Sequence, residues 1–233
     1  MTLWTAFFTT LLLSILWLRL IDYFASKGFI SKKLSRKIIH IGTGPIFVLC
    51  WLLFPENSLS RYLAAIIPFL ITIQFFLIGI GVIKDQSSVD AMSRTGDPKE
   101  ILKGPFFYGI VFVLLTIIFW RDSPIGIIAL MILCGGDGFA DVIGRRIPSV
   151  SLKWSRGKSA AGSIAMFFGG LLFSSLLLYI FIENGYLQVS FSDIFIKIIF
   201  INIIATIVES LPVHDLDNIT VPITVVILGI IVF

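Results

Sequence analysis

The sequence predicts an all-α, polytopic integral membrane bundle of seven or eight transmembrane helices, and three observations carry that prediction. Hydrophobic residues make up 57% of the chain and charged residues only 14%, against about 25% charged in an ordinary soluble domain; the mean hydropathy is +1.01. The apolar residues gather into runs near the ~20 residues that a helix needs to cross a hydrocarbon core. Lysine and arginine concentrate between alternate runs, as loops on one side of a membrane require.

The runs lie at about 3–22, 38–54, 62–83, 105–120, 125–143, 160–182, 194–210 and 219–233. In hydrocarbon every backbone polar group needs a partner inside the segment, so these runs are expected as helices. A closed barrel would show shorter segments that alternate in polarity. The first run lacks a basic start and a small-residue cleavage site, and reads as a retained span rather than a signal peptide. Between the third and fourth runs, residues 84–104 include Gly96, Asp97, Pro98, Lys99 and Glu100, and a short interfacial helix is expected there. The eighth run is short and carries Pro222, so whether it crosses fully stays open. Eight spans use most of the 233 residues and leave one membrane-embedded domain, 1–233. Cys50 and Cys134 sit in or beside apolar runs, and with two histidines they imply neither a zinc cluster nor a disulfide framework. The net charge of +4 is modest, and no nucleic-acid partner is expected.

Of the eighteen lysines and arginines, all but Arg61, Arg121 and Lys197 fall at Arg19 or in the segments 27–37, 84–103 and 145–158. The positive-inside rule then places these segments in the cytoplasm and the N-terminus outside. By the same alternation residues 209–218 are cytoplasmic, on the side of the basic loops. No internal repeat is evident, which weakens a transporter built from inverted halves.

Candidate chemistry begins at CGGDGFADVIGRR, Cys134 to Arg146. On a helix, Asp137 and Asp141 fall one turn apart on one face. Two carboxylates that close repel unless a cation lies between them or one is protonated. Oxygen ligands and the need for neutralisation point to Mg²⁺, which usually binds one or two carboxylates plus substrate phosphates. Gly135, Gly136 and Gly138 open the neighbouring turn to a ligand such as a nucleotide or to another helix. Next, Arg145, Arg146, Lys153, Arg156 and Lys158 precede Ser159 at the start of a helix, a plausible anion site. Contact with anionic lipid heads is the alternative. The Gly157-Lys158-Ser159 triplet is not a P-loop, because Leu152 stands where that motif needs glycine. Glu209, His214, Asp215, Asp217 and Asn218 form a third polar cluster, with oxygen ligands on a loop or simple capping as its two readings. His40 follows Arg36 and Lys37 at a span end, where it could bond structurally or move a proton.

The segments RKIIHIGTG, MSRTGDPKEILKGPFFYG, GGDGFADVIGRR, GKSAAGSIAMF and VESLPVHDLDNITVP, in this order over about residues 36–222, resemble the polyprenol kinase family, phytol kinase branch. Dolichol kinases and CTP-dependent diacylglycerol kinases are more distant kin. The resemblance implies phosphoryl transfer from CTP, or another nucleoside triphosphate, to a long isoprenoid alcohol at the cytoplasmic face. Mg²⁺ would then rest on Asp137 and Asp141 with Asp217 and Asn218, and Gly136, Gly138, Arg145, Arg146, Lys153, Lys158 and Ser159 would meet the triphosphate. His214 or Asp215 would take the alcohol proton, with His40, Lys37 and Glu209 as further candidates. A phosphatidate cytidylyltransferase-like enzyme is the runner-up, but Asp217-Asn218 followed by Pro222 resembles the kinase ending. A transporter using its carboxylates as an ion path is a third reading. The sequence names neither the alcohol nor the oligomeric state.

Overall fold

The computed structural model describes residues 1–93, 95–155, 157–212 and 216–233. Its axis is the span Pro124–Arg146, whose most apolar 18 residues are 78% buried, against 17% for the outermost span. Ser123 opens this span as its cap, with Pro124 at the first helical position, where a missing N–H does no harm. The span contains α6 (Pro124–Met131), a wider π turn over Ile132–Gly136, and α7 (Asp137–Arg146). Such π turns often lie beside functional positions, and this one ends at Asp137.

The other helices surround that axis. They are α1 (Leu3–Ser26), α2 (Lys32–Cys50), α3 (Ser60–Gly79), α4 (Gln86–Met92), α5 (Gly104–Ile118), α8 (Ala160–Glu183), α9 (Phe191–Glu209) and α10 (Asp217–Val232). Single 3₁₀ turns follow α2 at Trp51–Leu53 and precede α5 at Pro98–Leu102. Among the described residues seven spans are long and apolar enough to cross a membrane, and α10 is an apolar helix of 16 residues. Among the described residues there is no β-sheet, only the isolated bridge between Ser151 and Ser159. Pro45, Pro68 and Pro222 all lie inside helices, a placement that membrane spans tolerate because neighbouring groups re-satisfy the freed carbonyls. The short helix expected within residues 84–104 is α4.

Between helices in lipid, close packing replaces water exclusion as the driving force, and small residues let backbones approach. α7 packs along α8, α3 along α5, and α1 lies outside α2. A Cβ on Gly44 would stand 2.2 Å from the Cys134 sulfur, so α2 crosses the π turn at glycine-permitted distance. At one end of the bundle the buried Arg121 donates to the carbonyls of Trp51 and Phe54 and lies over the Tyr186 ring at 4.4 Å. That single guanidinium ties three connections together. The other end holds the polar residues.

Candidate active site

At that polar end, side chains from four connections meet. Lys37 on α2 reaches Asp141 on α7 (Nζ to Oδ2, 2.8 Å), and Arg145, one turn on, contacts the other oxygen of Asp141 at 2.6 Å. One turn nearer the membrane centre, His40 Nε2 stands 3.3 Å from Asp137 Oδ2, close but without the alignment of a full hydrogen bond. The two aspartates thus share the face turned to α2, as their spacing predicts, yet each meets its own cation-forming partner. Arg36 donates to the Ser93 carbonyl at 3.0 Å, which fastens the α4–α5 connection to α2. Asn218 at the start of α10 donates its amide nitrogen to the Gly104 carbonyl at 3.1 Å.

Lys158 forms the second centre. Its ammonium lies 2.8 Å from Glu209 Oε1 and 3.0 Å from Asp217 Oδ2, and it also donates to the Glu209 carbonyl. Burial opposes the charge on Lys158, but Glu209 and Asp217 outweigh it and raise the ammonium above the ordinary lysine range. Trp154 in the same loop donates to Ser210 Oγ at 3.2 Å. Asp137 is near enough for its charge to act on both Lys158 and Glu209, so the two centres are electrostatically one.

A cavity of about 340 Å³ opens between these groups and the bundle interior. Arg36, Lys37, His40, Glu100, Lys103, Asp137 and Asn218 line its polar mouth. Deeper, the walls are Thr43, Pro68, Ile71, Phe75, Tyr108, Gly109 and Phe112. Tyr108 is held beside His40, with rings 4.7 Å apart and its hydroxyl donating to the His40 carbonyl at 3.2 Å. A smaller cleft of about 160 Å³, lined by Ser31, Lys33, Lys37, Asp141, Arg145 and Arg146, lies on the other side of Lys37. One lysine therefore borders both a mixed polar-apolar cavity and a basic cleft.

Several sequence-predicted site residues do other work in the structure. Gly136 and Gly138 give no room to a nucleotide: a Cβ on Gly138 would stand 2.2 Å from Ile41, and one on Gly136 2.8 Å from the Met166 sulfur. They admit helices. The first amides of α8 are also taken, since Ala160 N donates to the Val150 carbonyl, Ala161 N to Ser149 Oγ and Gly162 N to Ser159 Oγ. Ser159 is a helix cap, and that terminus is not an open anion site. Lys153 and Arg146 are exposed. His214 and Asp215 lie outside the described residues.

The metal donors are divided in the same way. Asp141 faces Lys37 and Arg145, Asp217 faces Lys158, and only Asp137 and Asn218 line the large cavity. Among the described residues no three His, Cys, Asp or Glu side chains group as metal ligands. The four-residue set is not assembled as one cage. The donor chemistry still fits Mg²⁺ held by one carboxylate and completed by substrate phosphates, with Asp137 as that carboxylate.

No protein-family model matches the chain, and no solved structure matches it. Curated proteins do. The chain is 39% identical over 217 residues to a probable chloroplastic phytol kinase of Triticum aestivum, covering 92% of this chain and 72% of that one. It is 41% identical over 218 residues to probable phytol kinase 2, chloroplastic, of Oryza sativa subsp. japonica (93% and 71%). With phytol kinase 1, chloroplastic, of Arabidopsis thaliana it shares 38% over 202 residues (86% and 66%). The chain belongs to the phytol kinase family. It is a phosphotransferase of that family, and all five motifs that carry the resemblance reach the polar end of the bundle. Sequence reasoning singled out Lys37, His40, Asp137 and Asn218 but passed over Arg36, Glu100, Lys103 and Tyr108. The available signal was their membership of the first two phytol kinase motifs, RKIIHIGTG and MSRTGDPKEILKGPFFYG.

Proposed function

We propose that this phytol kinase family member transfers the terminal phosphoryl group of CTP, or another nucleoside triphosphate, to the hydroxyl of a long-chain isoprenoid alcohol such as phytol. The observation that carries the reading is the cavity itself, polar at Asp137, His40, Lys37 and Lys103 and apolar beyond Tyr108. An alcohol with a greasy tail matches that division. The triphosphate would occupy the basic cleft beside Lys33, Lys37, Arg145 and Arg146, so that Lys37 neutralises charge between the two reactants. Phosphoryl transfer is chiefly positioning and charge stabilisation, and this arrangement provides both.

In this scheme the alcohol oxygen forms a bond to the terminal phosphorus as the bond to the bridging oxygen breaks, and the nucleoside diphosphate leaves. The hydroxyl proton goes to His40, whose imidazolium is then stabilised by Asp137 at 3.3 Å. Mg²⁺, held by Asp137 with Asn218, would neutralise phosphate charge. The site would face the cytoplasm, with the N-terminus outside, in line with the basic loops gathered at this end.

Incubating membranes with CTP labelled at the γ or the α phosphate tests the reading. Label entering the lipid from γ supports a kinase, label from α means a cytidylyltransferase, and label from neither leaves transport or another substrate pair. Asp137→Asn is expected to lower transfer by about 10²–10³-fold while the protein stays in the membrane; full activity overturns its role. A Lys153→Cys variant should resist impermeant reagents applied outside intact cells, and rapid labelling there inverts the orientation.

A further inference from the structure

The size and walls of the large cavity bear on which part of the alcohol the protein reads. The cavity is shallow. α5 lines it from Gly104 to Phe112, about 12 Å of helix rise, and α2 and α3 line it over similar stretches, from Arg36 to Thr43 and from Pro68 to Phe75. A hydroxyl with two isoprene units spans that depth, and an extended twenty-carbon alcohol is about twice as long. Buried Phe112 closes the floor, braced by Phe47 and Tyr108.

The rest of the tail needs an apolar exit. The polar mouth is unsuitable, because it is lined by charges and apolar surface left in water is unfavourable. On the lipid side the cavity is bordered by α1 and α3, which touch each other only sparsely, whereas α1 packs on α2 and α3 on α5. α1 contributes a single residue to the wall, Leu18, which is half-buried and lines the same cavity as Ile71 and Phe75 of α3. Its neighbours Ile15, Leu16 and Leu20 are exposed on the outer surface, continuous with Phe69, Leu70, Ile73 and Phe76 of α3.

We infer that the cavity encloses only the hydroxyl and about two isoprene units of its alcohol, and that the remaining tail leaves between α1 and α3 past Leu18 into the bilayer. Resting on the lipid-alcohol kinase reading, this makes the protein a reader of the alcohol's head rather than a ruler of its length. Alcohols of very different length are then comparable substrates once the first two units are present. Branching or unsaturation in those two units matters more than any change beyond them.

The test uses the full chain in bilayers, with isoprenoid alcohols of ten, twenty and about fifty carbons. The twenty- and fifty-carbon alcohols should have kcat/KM values within about threefold of each other. A preference of tenfold or more for twenty carbons over fifty overturns the inference, because it means the whole tail is enclosed. Leu18→Trp, which plugs the gap, should lower kcat/KM for twenty carbons at least tenfold more than for ten carbons. Equal effects on both lengths also overturn it. Leu16→Trp, on the lipid-facing surface of the same helix, controls for insertion and folding and should alter neither ratio. If wild-type protein phosphorylates none of the alcohols, the kinase reading itself fails and the tail path falls with it, a result distinct from a length preference.

Discussion

His40 lies at the polar mouth of the cavity with its Nε2 3.3 Å from Asp137 Oδ2, and the proposed reaction makes it the acceptor of the alcohol proton. His40→Ala is therefore expected to lower kcat by about 10²–10⁴-fold, the range for losing a positioned proton acceptor. Added imidazole should recover part of that loss; no loss, or loss through KM alone, would remove the proton-transfer role. Asp85 illustrates a different single-residue effect. Its carboxylate accepts from Ser87 Oγ, Ser88 Oγ and Ser88 N, caps α4, and is held down to about 2 chiefly by the Ser87 and Ser88 side chains. Because the folded value lies below the ordinary 3.8, its stabilising effect is complete above about 3.8 and disappears as pH falls through about 2. Asp85→Ala should cost about 1 kcal/mol of local stability. Faster amide exchange over residues 86–92 at neutral pH, with the difference from wild type closing in acid, is the measurement.

At the scale of elements, the crossing of α2 and α7 sets the distance between the reacting side chains. A Cβ on Gly138 would stand 2.2 Å from Ile41, next in sequence to His40. Gly138→Ala should therefore push the helices apart and cost about 1–3 kcal/mol by overpacking. Ile41→Ala in the same chain should recover much of it, and a lower thermal midpoint in detergent without that recovery would point to another cause. The helices themselves were legible from apolar runs, because hydrocarbon imposes a length and a backbone rule that sequence obeys openly. Their ends were less so: α1 continues past Arg19 and Asp22 to Ser26, and α10 begins at Asp217, since polar residues at a membrane surface neither require nor forbid another helical turn. Glycines such as Gly136 were ambiguous for a physical reason, because space for a ligand and space for a helix leave the same residue type. Periodicity likewise gave no notice of Arg36, Glu100 and Lys103, whose meeting depends on how the α4–α5 connection folds back over α2.

For the molecule as a whole, two cations hold the two ends, and they are not equivalent. Arg121 binds carbonyls at one end and leaves the cavity alone, whereas Lys158 draws the α7–α8 loop onto α9 and α10 while standing in the electrostatic range of Asp137. Removing Lys158 leaves Glu209, with only 8% of its side chain exposed, facing Asp217 without their shared cation. The cost of stranding a largely buried charge in this way is about 3 kcal/mol. Lys158→Met should thus lower the thermal midpoint, and the added change Glu209→Gln should restore part of it. The pH dependence has a definite sign. Since the folded ammonium is raised above the ordinary 10.5, its contribution is complete below that value and is lost only as pH rises through the higher folded value. The stability gap between wild type and Lys158→Met should accordingly stay constant from neutral pH to about 10 and narrow in stronger base. A gap that already narrows near neutrality would mean that Lys158 is not the charge that holds this end together.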